Sequence, residues 1–157
     1  MKIEFVNKAT LKIKDVVKKS IIETLDYLGQ DHKKLELCVM FVDAGEMKDL
    51  NKRTRNIDKT TDVLSFPSFS INAGELLGKK VFMHEDDVHL GDMAICLSQA
   101  EAQAKEYNQT LEAEVSKLAV HSTLHLMGYD HIKDEDFMQM QPVEDAVAKI
   151  LKTKKII

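Results

Sequence analysis

Residues 110–131 read TLEAEVSKLAVHSTLHLMGYDH, and this stretch says more about the fold than any other part of the chain. Apolar residues recur in it at helical spacing, which predicts a well-buried helix over residues 110–127. His121 and His125 are four residues apart, so both imidazoles leave the same side of that helix. The stretch therefore predicts two histidines aimed at one point from a rigid support.

The residues that follow this helix predict a third ligand. Gly128 can leave the helix in a left-handed conformation, and His131 can then turn back toward the pair. Three neutral imidazoles leave one tetrahedral position of Zn²⁺ open, as in catalytic rather than structural zinc sites. Histidine pairs at this spacing are often incidental, but the pair, the glycine and the third histidine together predict one bound zinc ion.

The residue after His121 separates this pattern from the zinc proteases. The spacing matches the motif His-Glu-x-x-His-x-x-Gly-x-x-His, in which the glutamate is the general base. Ser122 occupies that place here, and serine has no basicity near neutral pH. The pattern therefore predicts a metal site without the usual peptidase base. Proton transfer then has to involve another group, the substrate, or a hydroxide bound to the metal.

Composition limits the class of protein. A length of 157 residues, with 44% hydrophobic and 31% charged residues, predicts a single globular domain over residues 1–157. No apolar run is long enough to cross a bilayer, and the first residues lack the apolar core of a signal peptide. We therefore expect no membrane association and a cytoplasmic location. Cys38 and Cys96 lie in apolar stretches, which favours buried free thiols.

The charge is unevenly distributed along the chain. The net charge of −4 does not by itself point to nucleic-acid binding. Residues 48–59, however, hold five basic side chains against two acidic ones. We call the basic ones the basic strip: Lys48, Lys52, Arg53, Arg55 and Lys59. The strip could engage phosphates, but charge alone is explained equally well by a solvated helix face.

The rest of the chain predicts an α+β fold. Strand patterns occupy residues 2–6, 35–42, 61–66 and 90–96, and helical patterns occupy 11–28, 45–53, 98–107, 110–127 and 134–152. Residues 68–89 are predicted to form a long loop or hairpin. Ser98 is expected to cap the helix over residues 98–107, with Glu101 completing a capping box. We expect a small mixed sheet of about four strands packed with several helices, and the metal site at the end of a central helix.

Three segments of the chain together resemble the YbeY endoribonucleases, a family also called rRNA maturation factors. The segments are residues 55–67, 90–95 and 121–131, and their order and spacing match the family over nearly the whole chain. Pro142 departs from the unbroken final helix that the resemblance implies. The resemblance also implies a cytosolic, metal-dependent endoribonuclease that acts on single-stranded RNA.

The same resemblance implies a role in trimming ribosomal RNA, notably the 3′ end of the small-subunit RNA, and in ribosome quality control. The ribosome or its assembly proteins would then be partners. In the family pattern, His121, His125 and His131 hold a zinc ion, and Arg55 lines the cleft.

The chemistry of the remaining polar residues is compatible with this role. We predict Arg55 to be catalytic, because a planar guanidinium can clamp two phosphate oxygens where negative charge builds up. We predict more weakly that Lys52, Arg53 and Lys59 bind substrate and that Asp130 orients a ligand imidazole. Two alternatives stay open: an RNA-binding ribosome-assembly factor with a mainly structural zinc, and a zinc hydrolase of another substrate.

Overall fold

The computed structural model describes residues 1–80, 87–130 and 134–157, and it has an α+β architecture. In chain order the elements are β1 (Lys2–Val6), α1 (Leu11–Tyr27), β2 (Leu35–Val42), α2 (Ala44–Arg55), β3 (Val63–Pro67), α3 (Leu77–Lys80), β4 (Val88–Cys96), α4 (Leu97–Glu106), α5 (Leu111–Leu126) and α6 (Asp134–Thr153). The predicted fold class, a small sheet packed with several helices, is confirmed.

The strands form one mixed sheet in the order β1-β2-β4-β3. β1, β2 and β4 are parallel, while β3 runs antiparallel to β4. Along β2 the odd-numbered residues from Leu35 to Phe41 are buried and the even-numbered ones are half-buried. Successive side chains of a strand point to opposite faces, so one face of the sheet carries the main core and the other is covered less completely.

Helix α5 is the central helix of the fold. Val115, Leu118 and Leu126 belong to the main core, which α5 shares with α1 and the sheet. Val120 and Leu124 belong to a second cluster, which α5 shares with α6. Because α5 is packed from both directions, its last turns form a rigid support for the side chains they carry.

Helix α2 covers the opposite face of the sheet. Met47 on α2 is fully buried and packs with Leu64, Ala94 and Cys96 from β3 and β4. Most of the other α2 side chains are exposed, which is consistent with the low hydrophobicity of this segment. Four residues of the basic strip lie on α2, and the fifth, Lys59, follows in the loop before β3.

Several element boundaries differ from those predicted from the sequence. Arg55 is the last residue of α2, whereas the sequence pattern ended this helix at residue 53. The predicted cap at Ser98 is wrong, because α4 begins at Leu97 and Cys96 holds the N-cap position without a side-chain cap bond. Ser98 Oγ instead lies 3.3 Å from Cys96 Sγ. Part of the expected loop forms the short helix α3, and residues 81–86 lie outside the described residues.

Two further predictions concern the thiols and the membrane. Cys38 and Cys96 are both free, and Cys96 is buried as predicted, whereas Cys38 is only half-buried. Burial raises the pKa of the Cys38 thiol, which keeps it protonated near neutral pH. In the described parts of the chain, no helix combines the length and the apolar character needed to span a bilayer.

Candidate functional site

His121 and His125 converge at the end of α5, as their spacing predicts. Their Nε2 atoms lie 3.0 Å apart, and the ring planes meet edge to face at 81°. Both residues are partly buried, because the packed helix shields one side of each ring. The Nε2 atoms of the two imidazoles therefore point to the same place, and the packed helix holds the rings in that geometry.

The second nitrogen of each ring contacts a hydrogen-bond acceptor. His121 Nδ1 lies 2.6 Å from Oε1 of Glu144, and His125 Nδ1 lies 2.9 Å from the carbonyl oxygen of Tyr129. An ionised carboxylate and a carbonyl can only accept, so each Nδ1 carries the ring proton and each Nε2 presents a lone pair. Metal-ligating histidines in proteins are oriented by partners of this kind.

The converging nitrogens fit a bound cation. Two lone pairs 3.0 Å apart repel each other unless a positive charge lies between them. Zinc–nitrogen distances of about 2.0–2.1 Å in tetrahedral geometry would separate the two nitrogens by roughly 3.3 Å, close to the separation seen here. A proton shared between the rings is the other cation that this arrangement could accept.

The third predicted ligand, His131, lies outside the described residues. Among the side chains that the structure describes, those of residues 1–79, 87–130 and 138–157, no group of three histidine, cysteine or carboxylate side chains is placed to hold a metal ion. The structure thus brings two of the three predicted ligands together. The assignment of His131 stays a prediction of the sequence.

Gly128 shapes the turn that ends α5. It adopts φ +85°, and the Tyr129 N–H donates to the Leu124 carbonyl, which closes the helix end. This turn carries the Tyr129 carbonyl back to the His125 ring. A β-carbon at Gly128 would lie 2.0 Å from the carbonyl oxygen of Ile71, so the position requires glycine for conformation and for space.

A cleft of about 370 Å³ opens beside His125. Its lining residues come from α2, from β3 and from the end of α5: Arg55, Ser65, Pro67, His125, Gly128, Tyr129 and Asp130. Burial raises the pKa of the Tyr129 hydroxyl, which is therefore neutral near neutral pH. The cleft combines a permanent cation, an imidazole and a carboxylate in one concave surface.

Local structure places Arg55 at this cleft. Asn56 takes the left-handed conformation that ends α2, and its N–H returns to the Asn51 and Lys52 carbonyls. The buried Asn51 side chain donates to the Lys59 carbonyl oxygen at 2.9 Å, which ties the following loop to the helix. The last side chain of α2 is thereby held beside β3 and the end of α5.

The more weakly predicted residues divide into two groups. Asp130 lines the cleft, as expected for a residue near the ligands, although the orienting contacts described for the two rings come from other groups. Lys52, Arg53 and Lys59 are exposed and are not among the lining residues of the cleft. Their predicted contact with substrate would therefore have to occur on the surface beside the cleft.

Sequence reasoning missed two contributors to the site. Glu144 reaches His121 from α6 across 23 positions of sequence, so no local pattern could reveal the contact. The sequence indicated no partner for Ser122, but its hydroxyl lies 2.7 Å from that of Ser65 on β3. The residue in the protease-base position therefore joins α5 to the wall of the cleft.

The fold and the site together define an α+β protein in which two histidines converge on α5 and one of them, His125, shares a cleft with an arginine. The family model described as Endoribonuclease YbeY matches residues 2–152, and the chain belongs to that family. A relative named Endoribonuclease YbeY from Caldicellulosiruptor saccharolyticus is 43% identical over 135 residues, which cover 86% of this chain and 84% of the relative.

Other similar proteins agree with this assignment. A protein of the same name from Clostridium botulinum, strain Kyoto, is 35% identical over 151 residues, covering 88% of this chain and 90% of the relative. The solution structure of a Thermotoga maritima protein aligns with a TM-score of 0.57 and 22% identity, over 98% of this chain and 94% of that one. At this identity the likeness concerns the fold.

Proposed function

We propose that this chain is a zinc-dependent endoribonuclease that cuts single-stranded RNA. Membership in the YbeY family supports a nuclease that hydrolyses phosphodiester bonds. The proposed physiological reaction is maturation of ribosomal RNA at the 3′ end of the small-subunit RNA, with the ribosome or its assembly proteins as partners. A cytoplasmic location stays a prediction of the sequence.

One observation carries the proposal. The Nε2 atoms of His121 and His125 converge to 3.0 Å while an acceptor holds each Nδ1, and Arg55 lines the same cleft as His125. In the proposed site, His131 completes the ligand set. Zinc bound there would supply a Lewis acid that lowers the pKa of water and polarises a phosphoryl oxygen.

The residues of the chain would then divide the remaining work. Arg55 would clamp the non-bridging phosphate oxygens and stabilise the charge that builds up on them in the transition state. Glu144 and the Tyr129 carbonyl would keep both imidazoles in the tautomer that binds metal. Lys52, Arg53 and Lys59 would attract the RNA backbone to the surface beside the cleft.

The missing glutamate base is consistent with RNA as substrate. The 2′-hydroxyl of RNA can lose its proton to water and bond to the adjacent phosphorus, while the bond from phosphorus to the 5′-oxygen of the next nucleotide breaks and that oxygen takes a proton from water. The products would carry a 2′,3′-cyclic phosphate and a 5′-hydroxyl. Products with 5′-phosphate and 3′-hydroxyl ends would instead show that water is the nucleophile.

The first experiment measures cleavage of a labelled single-stranded RNA by the zinc-loaded protein. We expect Arg55→Met to lower kcat about 10²- to 10³-fold, as for loss of one transition-state donor. Lys18→Met is the matched control, because it removes one exposed positive charge on α1, away from the cleft. Equal cleavage by the Arg55 variant and the wild type would refute the role assigned to Arg55.

A second variant separates catalysis from binding. His125→Ala should lose both the metal and RNA cleavage, because one converging nitrogen is removed. If the variant loses zinc but cuts RNA at the wild-type rate, the metal is not catalytic. The chain would then be better described as an RNA-binding assembly factor.

A further inference from the structure

The histidine pair lies between two cavities. The cleft that contains Arg55 borders His125, whereas a second cavity of about 210 Å³ borders His121. The second cavity is formed by the residue before β3 and by side chains of α4, its C-cap and α5: Asp62, Gln103, Tyr107, Glu114, Lys117, Leu118 and His121. An RNA strand that runs from the first cleft past His125 and His121 would therefore reach the second cavity next.

The second cavity offers a platform for stacking. Tyr107 is 58% exposed although it is a large aromatic residue, and Lys117 Nζ lies 5.4 Å from the centre of its ring. Proteins that hold single-stranded nucleic acids stack bases on exposed aromatic rings and place cations beside them. Tyr27 is also exposed, at 47%, but it lines neither of the two cavities.

The less exposed polar groups of this cavity, on Asp62, Gln103 and Glu114, present mainly hydrogen-bond acceptors, whereas the exposed Lys117 is a donor. Gln103 Nε2 donates to Asp62 Oδ2 at 3.2 Å, while the buried Gln103 Oε1 has no hydrogen-bond partner among the described residues. Glu114 is buried, and Gln109 already donates to its carboxylate. An acceptor-rich wall favours a ligand that brings donors, because an acceptor left unpaired in a buried site is costly.

Nucleobases differ in the donors they bring. Adenine, cytosine and guanine carry an exocyclic amino group, whereas uracil has one ring N–H between two carbonyl acceptors. The cavity is smaller than the roughly 300–1,000 Å³ typical of sites for drug-sized ligands, so it suits one flat ring.

From these observations we propose that the second cavity is a subsite for one nucleobase of the RNA, adjacent to the bond that is cut. Tyr107 stacks on the base, and Gln103 and Asp62 accept hydrogen bonds from its amino group. Uracil is the least favoured base there. This inference rests on the proposed function, because it assigns the substrate of the same site.

The test measures binding rather than cleavage. A fluorescent single-stranded oligonucleotide with 2′-O-methyl riboses, which cannot be cut through the 2′-oxygen, is titrated with the zinc-loaded full chain. We expect Tyr107→Ala to raise Kd about fivefold or more, as for loss of one stacked base. Tyr107→Phe keeps the ring and should stay within about twofold of the wild type, as should the control Tyr27→Ala.

Abasic nucleotides locate the contact. A single abasic nucleotide is moved along the oligonucleotide, and one position should weaken wild-type binding as much as Tyr107→Ala does. At that position the abasic nucleotide should not weaken binding to Tyr107→Ala any further. Among oligonucleotides that differ only in the base at that position, the one with uracil should bind the wild type most weakly. The proposal is overturned if the two losses add at every position, if Tyr107→Ala binds as the wild type does, or if uracil binds best.

Failure of this inference is distinguishable from failure of the proposed function. If the wild type cuts RNA with dependence on Arg55 but the Tyr107 variants bind normally, only the base subsite is wrong. If the zinc-loaded wild type neither binds nor cuts any single-stranded RNA, the proposed function itself is wrong. Thermal unfolding of Tyr107→Ala, expected to match the wild type because the ring is exposed, checks that the variant is folded.

Discussion

Replacing Glu144 by glutamine should weaken metal binding while leaving the fold intact. The carboxylate lies 2.6 Å from His121 Nδ1 and is contributed by a different helix from the two imidazoles. Glutamine keeps the length of the side chain but removes the negative charge that favours a proton on His121 Nδ1. The variant therefore tests a contact that the sequence pattern does not reveal.

The size of the effect follows from the role of such partners in other metal sites. Loss of an outer partner of a ligating histidine lowers metal affinity about 10- to 100-fold, or about 1.4–2.7 kcal/mol. The side chains of His121 and Glu144 are 30% and 20% exposed, so solvent already screens part of the interaction. We therefore expect a loss close to tenfold.

Two readouts should agree on this loss. Competition for zinc against a fluorescent chelator measures the affinity directly. Thermal unfolding with and without excess zinc measures it through linkage, and a tenfold weaker site should reduce the zinc-induced stabilisation by about 1.4 kcal/mol. Asp145→Asn is the matched control, because it removes the same charge from the next residue of α6, which is exposed and bonded to Gln141.

The reasoning is refuted if Glu144→Gln binds zinc as tightly as the wild type. It is also refuted if Asp145→Asn weakens binding to the same extent, because the effect would then be a general one of charge. A wild type that binds no zinc at all would contradict the proposed metal rather than the role of Glu144.

Two further predictions concern stability. Gly128→Ala should destabilise the fold in urea unfolding by several kcal/mol, and Gly74→Ala by only about 1–2 kcal/mol. Both glycines have similar positive φ angles, but only Gly128 lacks space for a β-carbon, so equal losses would count against the clash. Burial raises the pKa of Glu114 above its usual 4.5, so the charged form is disfavoured in the folded state. Glu114→Gln should therefore gain stability relative to the wild type as pH rises above about 4.5. Glu112 is the control of opposite sign, because its hydrogen bond with the Lys12 side chain lowers its pKa, so Glu112→Gln should lose relative stability as pH rises toward about 4.5 from below. Parallel trends for the two variants would contradict the assigned causes.

Most of the fold could be predicted from local patterns. The alternation of residues 35–42 and the helical spacing of residues 110–127 indicated the elements that the structure contains. The cap at Ser98 was predicted wrongly, because α4 begins directly where β4 ends, and the end of that strand places Cys96 in the N-cap position. The short helix α3 was missed because four residues are too few for a periodic signal.

The candidate site was predictable only in part, because local patterns do not determine how distant segments pack together. Spacing along one helix determines that His121 and His125 share a side, and the structure places their Nε2 atoms 3.0 Å apart. Arg55 was identified from a resemblance, and its location in the cleft depends on packing between α2, β3 and the end of α5. No local rule could join these distant segments.

The sequence by itself determined the histidine pair, the glycine turn after it, the absence of a protease base and the mixed α+β class, because each follows from the periodicity or chemistry of neighbouring residues. Tertiary structure alone decided that Glu144 orients His121 and that the histidine pair lies between two cavities. Such contacts depend on how separate helices and strands pack, and packing is set by the fit of side chains distant in sequence. The histidines predicted to bind a metal could therefore be identified from the sequence, whereas the groups that contact their Nδ1 atoms and the grouping of residues around the two cavities could not.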